Sequence, residues 1–427
     1  MSAVREVMDK ASVPHRMTSV MRNEKVRSMG AYALGPILGI LSGPILARAL
    51  GPDGRGQFAS VMEPITVAGA VAGLGIPAAV AYFIARGADG KLVYRLGSLL
   101  GTVPALATYA FMIWYAGIVS AEQRISFWFL VAAWSVIVVS SLVQLRRGYW
   151  QGRANWLVLD KERAYFGITR FLSVFVLAAI GISTAQFFVA ASLLSFAACA
   201  SILFWSGGRF RIGYHPDRPA FVRYSVMSSV GTITAVATSR LDQILMPVTS
   251  TSEQLGFYAV AVTVAEVPLV LAALASRNAF QYAACGRTNR QIFIEVRIFF
   301  FVCFLLVVAL ELLAPLVVPL VFGLPFAASV QSIQFLGFGT LATWASLVCG
   351  AIIGGRGYPA LSSLISAVSL VITTIFFVVN WSSVSSLLAA QISLGSSLVA
   401  ACIGFAILLV KRAPVSSVES RVLADGA

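Results

Sequence analysis

The stretch "TSRLDQILMP" (Thr238–Pro247) carries an arginine and an aspartate near the end of an apolar run that spans residues 222–247. The surrounding residues suit lipid, yet Arg240 and Asp242 bear opposite charges. They are two positions apart, so a helix places them on nearly opposite sides, where they pair poorly with each other. A charge at mid-bilayer costs roughly 2.5–3.5 kcal/mol on insertion scales. Each charge therefore needs its own partner or water, which predicts a polar interior between helices.

The composition of the whole chain indicates an integral membrane protein. Of its 427 residues, 59% are hydrophobic and only 11% are charged, whereas a soluble chain carries about 25% charged residues. The net charge of +14 would indicate nucleic-acid binding only if the basic residues formed a patch on a soluble domain. No segment is long and polar enough to form one, so we predict no nucleic-acid partner.

Twelve apolar runs are long enough to cross a bilayer as helices, for which about 20 residues are needed. This pattern predicts an all-α fold of about twelve transmembrane helices. The runs cover approximately residues 29–50, 57–85, 93–119, 126–147, 165–182, 185–205, 222–247, 255–277, 292–318, 331–353, 358–379 and 384–410.

The runs group into two six-helix bundles, at residues 29–205 and 222–410. A polar cytoplasmic linker at 206–221 joins the bundles. Cytoplasmic tails are predicted at 1–28 and 411–427, and the second of these is expected to be disordered.

The lysines and arginines support one orientation. With the N-terminus inside, 27 of the 31 basic residues fall on the cytoplasmic side, and Arg170 is counted there, in an inner connection. Arg48, Arg55 and Arg124 fall outside, and Arg240 falls within a span. This strong bias predicts that both termini are cytoplasmic. It also accounts for the basic excess, which anionic lipids can reinforce.

The two halves of the chain resemble each other at an offset of about 200 residues. "GQFASV" begins at Gly56 and "GFYAVA" begins at Gly256, while "QGR" (151–153) has a counterpart in "GGR" (354–356). Six spans per half is an even number, so the halves keep the same orientation. The pattern predicts a parallel pseudo-repeat about an axis along the membrane normal, with a cavity between the bundles.

Motifs for catalysis, metal binding and ATP binding are missing from the sequence. "GPDGRG" (Gly51–Gly56) lacks the Gly-Lys-Ser/Thr ending of a phosphate-binding loop, and its Pro-Asp-Gly is typical of a tight turn. The two histidines lie far apart, and the five cysteines are scattered through apolar runs. We predict no catalytic residues and no metal, and any active transport must be secondary.

Charged residues inside the predicted spans are the candidates for function. They include Glu63 and Glu266, and Arg48 lies at the outer end of the first span. We expect Arg240 to contact Glu63 or Glu266, and Asp242 to contact Arg48. Such residues either hold the bundle together as ion pairs or take part in substrate binding, gating or ion coupling.

Prolines accompany both glutamates, in Glu63-Pro64 and in Glu266 with Pro268. Because proline removes a helical hydrogen bond, both positions predict a kink. Kinked helices near the middle of the membrane commonly border ion or substrate sites in transporters, although a simple packing kink explains them equally well.

Two long stretches resemble a known family. "LARALGPDGRGQFASVMEPITVAGAVAGLGIPAAVAYFIARG" (46–87) is similar to the first two spans of bacterial Wzx-like oligosaccharide flippases of the multidrug/oligosaccharidyl-lipid/polysaccharide exporter superfamily. "SRLDQILMPVTSTSEQLGFYAVAVTVAEVPLVLAAL" (239–274) is similar to their spans seven and eight. The twelve-span plan extends the resemblance over residues 29–410.

The resemblance implies a V-shaped pair of bundles with alternating access and no enzymatic activity. The implied cargo is an oligosaccharide on undecaprenyl pyrophosphate, moved from the inner to the outer leaflet of the bacterial cytoplasmic membrane. Implied partners are this lipid-linked glycan, membrane lipids and the polysaccharide polymerase machinery.

The resemblance also implies roles for the charged residues. Arg48, Arg240 and Arg277 would meet the anionic cargo, together with Asp242. Glu63 and Glu266 would act as counter-charges or coupling sites. No cofactor is implied, and coupling to H⁺ or Na⁺ stays open.

Two alternatives remain at this point. A multidrug or cation exporter of the same fold would use the acidic residues, although Arg240 favours an anionic cargo. A membrane polymerase or ligase of glycans normally needs a long outer loop with catalytic arginines or histidines, and the outer loops here are short.

Overall fold

The computed structural model describes residues 15–206, 212–381 and 384–410, and it is built from α-helices. A 3₁₀ helix (Leu324–Ala328) separates two of them. In chain order the α-helices are α1 (His15–Gly73), α2 (Ile76–Ala85), α3 (Gly90–Gln123), α4 (Phe127–Trp134), α5 (Val136–Gly152), α6 (Trp156–Ala179), α7 (Ala185–Trp205), α8 (Arg218–Thr249), α9 (Ser252–Ala265), α10 (Leu269–Ala284), α11 (Asn289–Phe322), α12 (Ser329–Gly355), α13 (Pro359–Val379) and α14 (Ser386–Val410).

The helices confirm the all-α membrane fold. They coincide with the twelve predicted runs: α1 contains the first run and part of the second, α2 completes the second, and the pairs α4–α5 and α9–α10 form one run each. By length and composition alone, eight described helices could cross a membrane, or nine if one bent pair counts as a single span. Helices α6 and α8 are not among them, since they carry charged and hydroxyl side chains. Residues 1–14 and the tail at 411–427 lie outside the described residues.

Helix α1 is a hairpin of two antiparallel arms that meet at Gly51. This glycine has φ 66° and ψ −179°, outside the helical region, and glycine reaches a positive φ without strain. Gly43 before the bend lies against Thr263, and Glu63 after it lies near Glu266. The chain therefore doubles back. The predicted tight turn consists of a single non-helical residue, because the proline that follows it suits the start of a helix.

Three spans are broken, and only one break lies where a proline predicts it. Between α9 and α10 the chain bends by 50° at Glu266 and Pro268, as expected. Pro64 lies inside α1, which continues through it without a break. The second run breaks instead at Leu74 and Gly75, both with positive φ.

At one end of the molecule the two bundles pack against each other without a gap. We call this end, where α1 bends and α8 stops, the closed face. Ala47 and Ala59 of α1 lie in the same buried core as Leu255 and Tyr258 of α9 and Phe326. The core at this end therefore belongs to both halves of the chain.

A reciprocal glycine contact marks the centre of the closed face. A Cβ on Gly56 would lie 1.7 Å from the Ser252 carbonyl oxygen, and a Cβ on Gly256 would lie 1.9 Å from the Pro52 carbonyl oxygen. Residue 52 corresponds to 252, and 56 to 256, in the predicted repeat. The contact is thus made by equivalent residues of the two halves, which confirms the parallel pseudo-repeat and places its axis between them.

At the opposite end, which we call the open face, each half has a core of its own. One core is built from residues between Ala272 and Leu408, and the other from residues between Ile76 and Phe221. Apart from Phe221 of α8, which joins the second of these cores, no buried core links the halves among the described residues here. The molecule is therefore splayed at this end and closed at the other. We call α1–α7 the N-bundle and α8–α14 the C-bundle.

Helix α8 is shared between the bundles. Its first half packs on the N-bundle, where the Tyr224 ring stacks on Tyr82 at 4.3 Å between centroids. A Cβ on Gly75 would lie 2.1 Å from the Ser225 carbonyl oxygen, so the two backbones touch. Its second half carries the "RLDQ" residues (240–243) to the middle of the molecule.

The start of α3 is tied to the linker at the open face. The Asp89 carboxylate caps α3 by accepting the N–H groups of Lys91 at 3.0 Å and Leu92 at 2.9 Å. The Asp89 N–H donates to the Tyr214 carbonyl at 2.9 Å. The backbone N–H of Leu92 is the largest cause of a lowered pKa at the Asp89 carboxyl, because donated hydrogen bonds favour the charged form.

Candidate functional site

Where the bundles meet, one arginine contacts two carboxylates. Arg240 Nη1 of α8 lies 3.1 Å from Glu266 Oε1, at the α9–α10 bend, and 3.8 Å from Glu63 Oε2 of α1. The predicted contact of Arg240 with a glutamate is confirmed, and it involves both. Since Glu63 belongs to the N-bundle and Glu266 to the C-bundle, Arg240 links the two halves.

Gln243 completes this group, which we call the ionic cluster (Glu63, Arg240, Gln243 and Glu266). With its amide correctly oriented, the Gln243 oxygen accepts from Arg240 Nη1 at 2.9 Å, and its nitrogen donates to Glu63 Oε2 at 3.3 Å. The side chains of Arg240, Glu63 and Glu266 are 27%, 24% and 38% exposed. The cluster is thus only partly buried and lies against open space.

Asp242 has a different partner from the one predicted. Its carboxylate accepts a hydrogen bond from the Tyr258 hydroxyl of α9, and it also accepts the Gln243 N–H at 2.8 Å. The expected contact with Arg48 is wrong. Asp242 and Tyr258 lie one helix apart within the C-bundle, so this pair stays together if the bundles separate.

Arg48 lies at the closed face, away from the ionic cluster. Its Nε donates to the Val321 carbonyl at 2.9 Å, and its Nη2 donates to the Leu320 carbonyl. These carbonyls end α11, where the helix dipole favours a cation. Arg48 therefore fastens the N-bundle to the C-bundle, and it is not among the residues that line the large cavity.

Two more N-bundle side chains fasten the closed face through backbone carbonyls. Gln123 Nε2 donates to the Pro247 carbonyl at 2.8 Å and to the Ser250 carbonyl at 2.9 Å. The Tyr115 hydroxyl donates to the Ile244 carbonyl at 2.6 Å. All three acceptors lie in the last turns of α8 or just after it. Val248 in the same segment belongs to a core of N-bundle residues, so these bonds hold the end of α8 against the N-bundle.

A cavity of about 720 Å³ lies wholly within the C-bundle and borders the ionic cluster. Its lining includes three of the predicted site residues, Asp242, Glu266 and Arg277, together with Gln243. Most of its other polar lining consists of hydroxyl groups: Thr238, Ser239, Ser276, Thr340, Thr343, Ser346, Ser362, Ser366, Ser369, Thr373, Ser393, Ser396 and Ser397. We call it the hydroxyl cavity.

The hydroxyl lining was missed from the sequence, although a signal exists. In α13 the four lining hydroxyls follow spacings of four, three and four residues (Ser362, Ser366, Ser369 and Thr373). Such spacing places them on one face of a helix. A polar stripe within an otherwise apolar span predicts a helix face that is turned away from lipid. Charged residues within a span make the same prediction.

Arg170 and Arg55 were also missed. The inner connection predicted for Arg170 is wrong, since the residue lies well inside α6. Arg55, predicted in an outer turn, is only 8% exposed and lies in α1. Both residues lie within electrostatic range of Glu63. The signal for Arg170 was its position within the predicted span 165–182.

The fold is similar to that of solved membrane transporters. An inward-facing multidrug resistance MATE family transporter of the MOP superfamily matches at 12% identity and a TM-score of 0.67, covering 89% of this chain and 97% of that one. The lipid II flippase MurJ in an inward closed conformation matches at 13% identity and a TM-score of 0.64, covering 90% and 87%. An outward-facing MATE family transporter matches at 14% identity and a TM-score of 0.57, covering 90% and 93%.

Fold and spans together define a multi-pass membrane protein with the fold of known membrane transporters. The sequence profile described as polysaccharide biosynthesis protein matches residues 27–280. This range is more than half of the chain, and the chain belongs to the polysaccharide biosynthesis protein family. No curated protein matches the chain in sequence.

Proposed function

We propose that this protein moves a polyprenyl-pyrophosphate-linked oligosaccharide from the inner to the outer leaflet of the bacterial cytoplasmic membrane. The observation that carries the proposal is the hydroxyl cavity of about 720 Å³ beside an ionic cluster that joins two bundles. Family membership in polysaccharide biosynthesis supports a glycan as the cargo.

The lining of the cavity suits a sugar better than an apolar drug. Hydroxyl groups both donate and accept hydrogen bonds, so a wall of serines and threonines can match a glycan's hydroxyls without a fixed charge pattern. Its volume lies within the usual range for small-molecule sites, about 300–1,000 Å³. The glycan would occupy this cavity while the polyprenyl chain stays in the bilayer.

The proposed orientation places the open face in the cytoplasm. The positive-inside bias puts the bend at Gly51 and the contact at Gly256 outside, so the closed face seals the outer side. The higher TM-score to the inward-facing transporter than to the outward-facing one is in line with this. Arg277 would then lie on the cytoplasmic side of the cavity, positioned to meet phosphate.

Alternating access would require the Glu63–Arg240 contact to break. Glu63 moves with the N-bundle, whereas Arg240 keeps Glu266 as its partner. The anionic cargo can take the place of Glu63 beside Arg240, which links cargo binding to separation of the bundles. A transporter works this way when cargo binds the two states with different free energies.

Asp242 and Glu266 are the candidates for coupling to H⁺ or Na⁺. Both carboxylates line the hydroxyl cavity, and Asp242 has no cation at salt-bridge distance among the described residues. A carboxylate held by a tyrosine hydroxyl can take up a cation without losing a salt bridge. No cofactor is needed for this scheme.

A multidrug or cation exporter is the second candidate function. Asp242 and Glu266 at the cavity favour it, since two carboxylates attract cationic compounds. The similarity to multidrug resistance transporters shows the fold only, at 12–14% identity. The hydroxyl lining and the family favour the glycan.

The deciding experiment is mass spectrometry of polyprenyl-linked intermediates in a strain that lacks this protein. Build-up of one lipid-linked oligosaccharide is the expected result, and it identifies the cargo. Unchanged intermediates together with increased sensitivity to cationic drugs would replace this proposal with the exporter. Complementation by the wild-type chain, but not by an empty vector, is the control.

A further inference from the structure

The lining of the hydroxyl cavity carries more negative than positive charge. Asp242 and Glu266 are its two carboxylates, and Arg277 is its single cation among the described residues. Its other polar side chains are hydroxyls and the Gln243 amide, which are uncharged at neutral pH. The cavity therefore presents a net negative charge to whatever enters it.

The charges of the lining are separated along the cavity. Asp242 lies in the second half of α8, and Glu266 lies at the bend between α9 and α10. The two carboxylates are within electrostatic range of each other. Arg277 lies about two turns into α10, which runs from the bend towards the core of the open face. The cavity thus has an acidic end (Asp242 and Glu266) in the middle of the molecule and a cation towards the open face.

One guanidinium lies close to the acidic end, and it is shared. Arg240 Nη1 is 3.1 Å from Glu266 Oε1 and 3.8 Å from Glu63 Oε2, and Asp242 is within its electrostatic range. Arg240 is not part of the cavity lining. The hydrogen-bond donor of Asp242 is the Tyr258 hydroxyl, a neutral group that does not offset a negative charge.

The arginines of the N-bundle lie near a different carboxylate. Arg55 and Arg170 are within electrostatic range of Glu63, and neither of them lines the cavity. All three residues belong to the N-bundle, so they move together when the bundles separate. Asp242 and Glu266 then share Arg240 alone, and the acidic end keeps its excess of negative charge.

The cavity is small enough for its charges to act throughout its volume. A sphere of the same volume, about 720 Å³, is about 11 Å across, close to the Debye length of about 8–10 Å at ordinary ionic strength. A charged ligand anywhere in the cavity therefore interacts with both carboxylates. The hydroxyl lining does not distinguish ligands by charge, since serine and threonine both donate and accept hydrogen bonds.

We propose that the hydroxyl cavity selects its glycan by charge: it accepts sugars with hydroxyl or amino groups and rejects sugars with carboxylate groups. The ammonium group of an amino sugar can donate charge-assisted hydrogen bonds to Asp242 or Glu266. A uronic acid would place a third carboxylate against these two. Repulsion of the wrong ligand gives selectivity as effectively as attraction of the right one. The inference rests on the proposed function, because it concerns the glycan of that cargo.

The test compares three tetrasaccharides with the same backbone linkage: neutral cellotetraose, its glucosamine analogue and its glucuronate analogue. Their binding to the purified full chain in phosphatidylcholine nanodiscs is measured by titration in ligand-observed NMR, which detects weak complexes. We expect the glucuronate analogue to bind at least about tenfold more weakly than cellotetraose, and the glucosamine analogue at least as tightly as cellotetraose. Equal binding of the glucuronate analogue and cellotetraose would overturn the proposal, as would no binding of any probe.

Asp242→Asn tests whether the carboxylate is the cause of this order. It keeps a hydrogen-bond partner for Tyr258 and removes one negative charge. We expect about fivefold tighter binding of the glucuronate analogue, weaker binding of the glucosamine analogue and unchanged binding of cellotetraose. An equal change for all three probes would overturn the proposal, because the carboxylate would then affect access and not charge. Glu266→Gln repeats the test at the other carboxylate and replaces Asp242→Asn if that variant does not fold.

The matched control is Glu253→Gln. It removes an exposed acidic residue from the first turn of α9, and this residue does not line the cavity. All three affinities should stay as in the wild type. A change equal to that in Asp242→Asn would show that the net charge of the protein sorts the probes, which would contradict selection by the cavity.

The composition of the cargo separates this inference from the proposed function. The lipid-linked oligosaccharide that builds up in the deletion strain should contain no uronic acid or other carboxylated sugar. Build-up of an acidic oligosaccharide would overturn selection by charge and leave the proposed function standing. Absence of any build-up would reject the proposed function, while the binding order of the three probes still decides whether the cavity selects by charge.

Discussion

The N-bundle and the C-bundle share a six-span plan but place their polar groups differently. The C-bundle gathers hydroxyls and two carboxylates around a cavity of about 720 Å³. The N-bundle instead holds the buried Arg55 and the half-buried Arg170, each with an Nε atom that is buried without a hydrogen-bond partner among the described residues. A pseudo-symmetric backbone thus carries an asymmetric distribution of charge.

The largest expected effect comes from the residue that joins the bundles. Arg240→Ala leaves Glu63 and Glu266 facing each other without a cation, and we expect loss of transport with normal amounts of protein in the membrane. Breaking a buried pair costs about 3–5 kcal/mol, but partial exposure screens this one, so the protein should still fold. Transport is measured as depletion of the lipid-linked intermediate in the complemented deletion strain.

Glu63→Gln is the companion variant for Arg240→Ala. It also removes the contact between bundles but leaves Arg240 with Glu266, so we expect partial transport. Wild-type transport by Arg240→Ala would refute a role in the transport cycle. Failure of Arg240→Ala to accumulate in the membrane would show that the ion pairs only hold the bundles together.

The next largest effect is expected at the glycine contact. In Gly256→Val the side chain overlaps the Pro52 carbonyl, and overpacking of this kind costs about 1–3 kcal/mol. That shifts the equilibrium away from the closed state about 5–150-fold. Spin labels at the C-terminal end of α3 and the N-terminal end of α9, both at the closed face, should then lie farther apart than in the wild type.

Gly117→Val serves as the control for that shift, because nothing lies within 4 Å of a Cβ at Gly117. It should leave the distances and transport unchanged. Short distances in Gly256→Val would mean that the contact does not control closure.

A further prediction concerns coupling at Asp242. Asp242→Asn keeps a hydrogen-bond partner for Tyr258 but removes the charge, and we expect transport that no longer depends on the H⁺ or Na⁺ gradient. Flipping in proteoliposomes with imposed gradients measures this. The comparison variant is Tyr258→Phe, which loses a hydrogen bond to a charged group worth about 1.5–3 kcal/mol but keeps the carboxylate, and so should retain the gradient dependence.

The hydroxyl cavity should show a moderate effect. Ser366→Ala together with Ser369→Ala removes two lining hydroxyls, each worth about 0.5–1.5 kcal/mol in a hydrogen bond. We expect the apparent affinity for the cargo to fall about fivefold to a hundredfold. Thr374→Val on the same helix does not line the cavity and should change nothing; an equal loss there would point to damage to α13.

Hydropathy and the internal sequence repeat were sufficient to predict the architecture. Apolar runs of the required length recovered the twelve segments, and the matched motifs at Gly56 and Gly256 anticipated the pseudo-repeat. These features are local or periodic, so they leave a direct trace in the sequence. The pairing of Arg240 with a glutamate also followed, because intramembrane charges must find partners, whereas its contact with both glutamates did not.

Other parts of the site depend on tertiary packing that no local pattern encodes. Arg48 donates to carbonyls at the end of α11 and not to Asp242. This contact could not be predicted, because a backbone acceptor leaves no pattern of side chains in the sequence. Arg170 was assigned by charge to a loop although it lies within the predicted run 165–182 and inside helix α6. Pro64 leaves α1 unbroken, while Gly75 breaks the same span because the backbone of α8 must approach there.

The shared helix α8 has a consequence for how the chain is made. Its first half supplies Phe221 to a core that otherwise consists of N-bundle residues. The same half of α8 packs on Tyr82 of α2 and on Gly75, which directly precedes α2. During synthesis this core therefore stays incomplete until the seventh span has emerged from the ribosome. A fragment that ends at Trp205 should leave an uncovered groove and be degraded, whereas one that extends through Thr249 should persist.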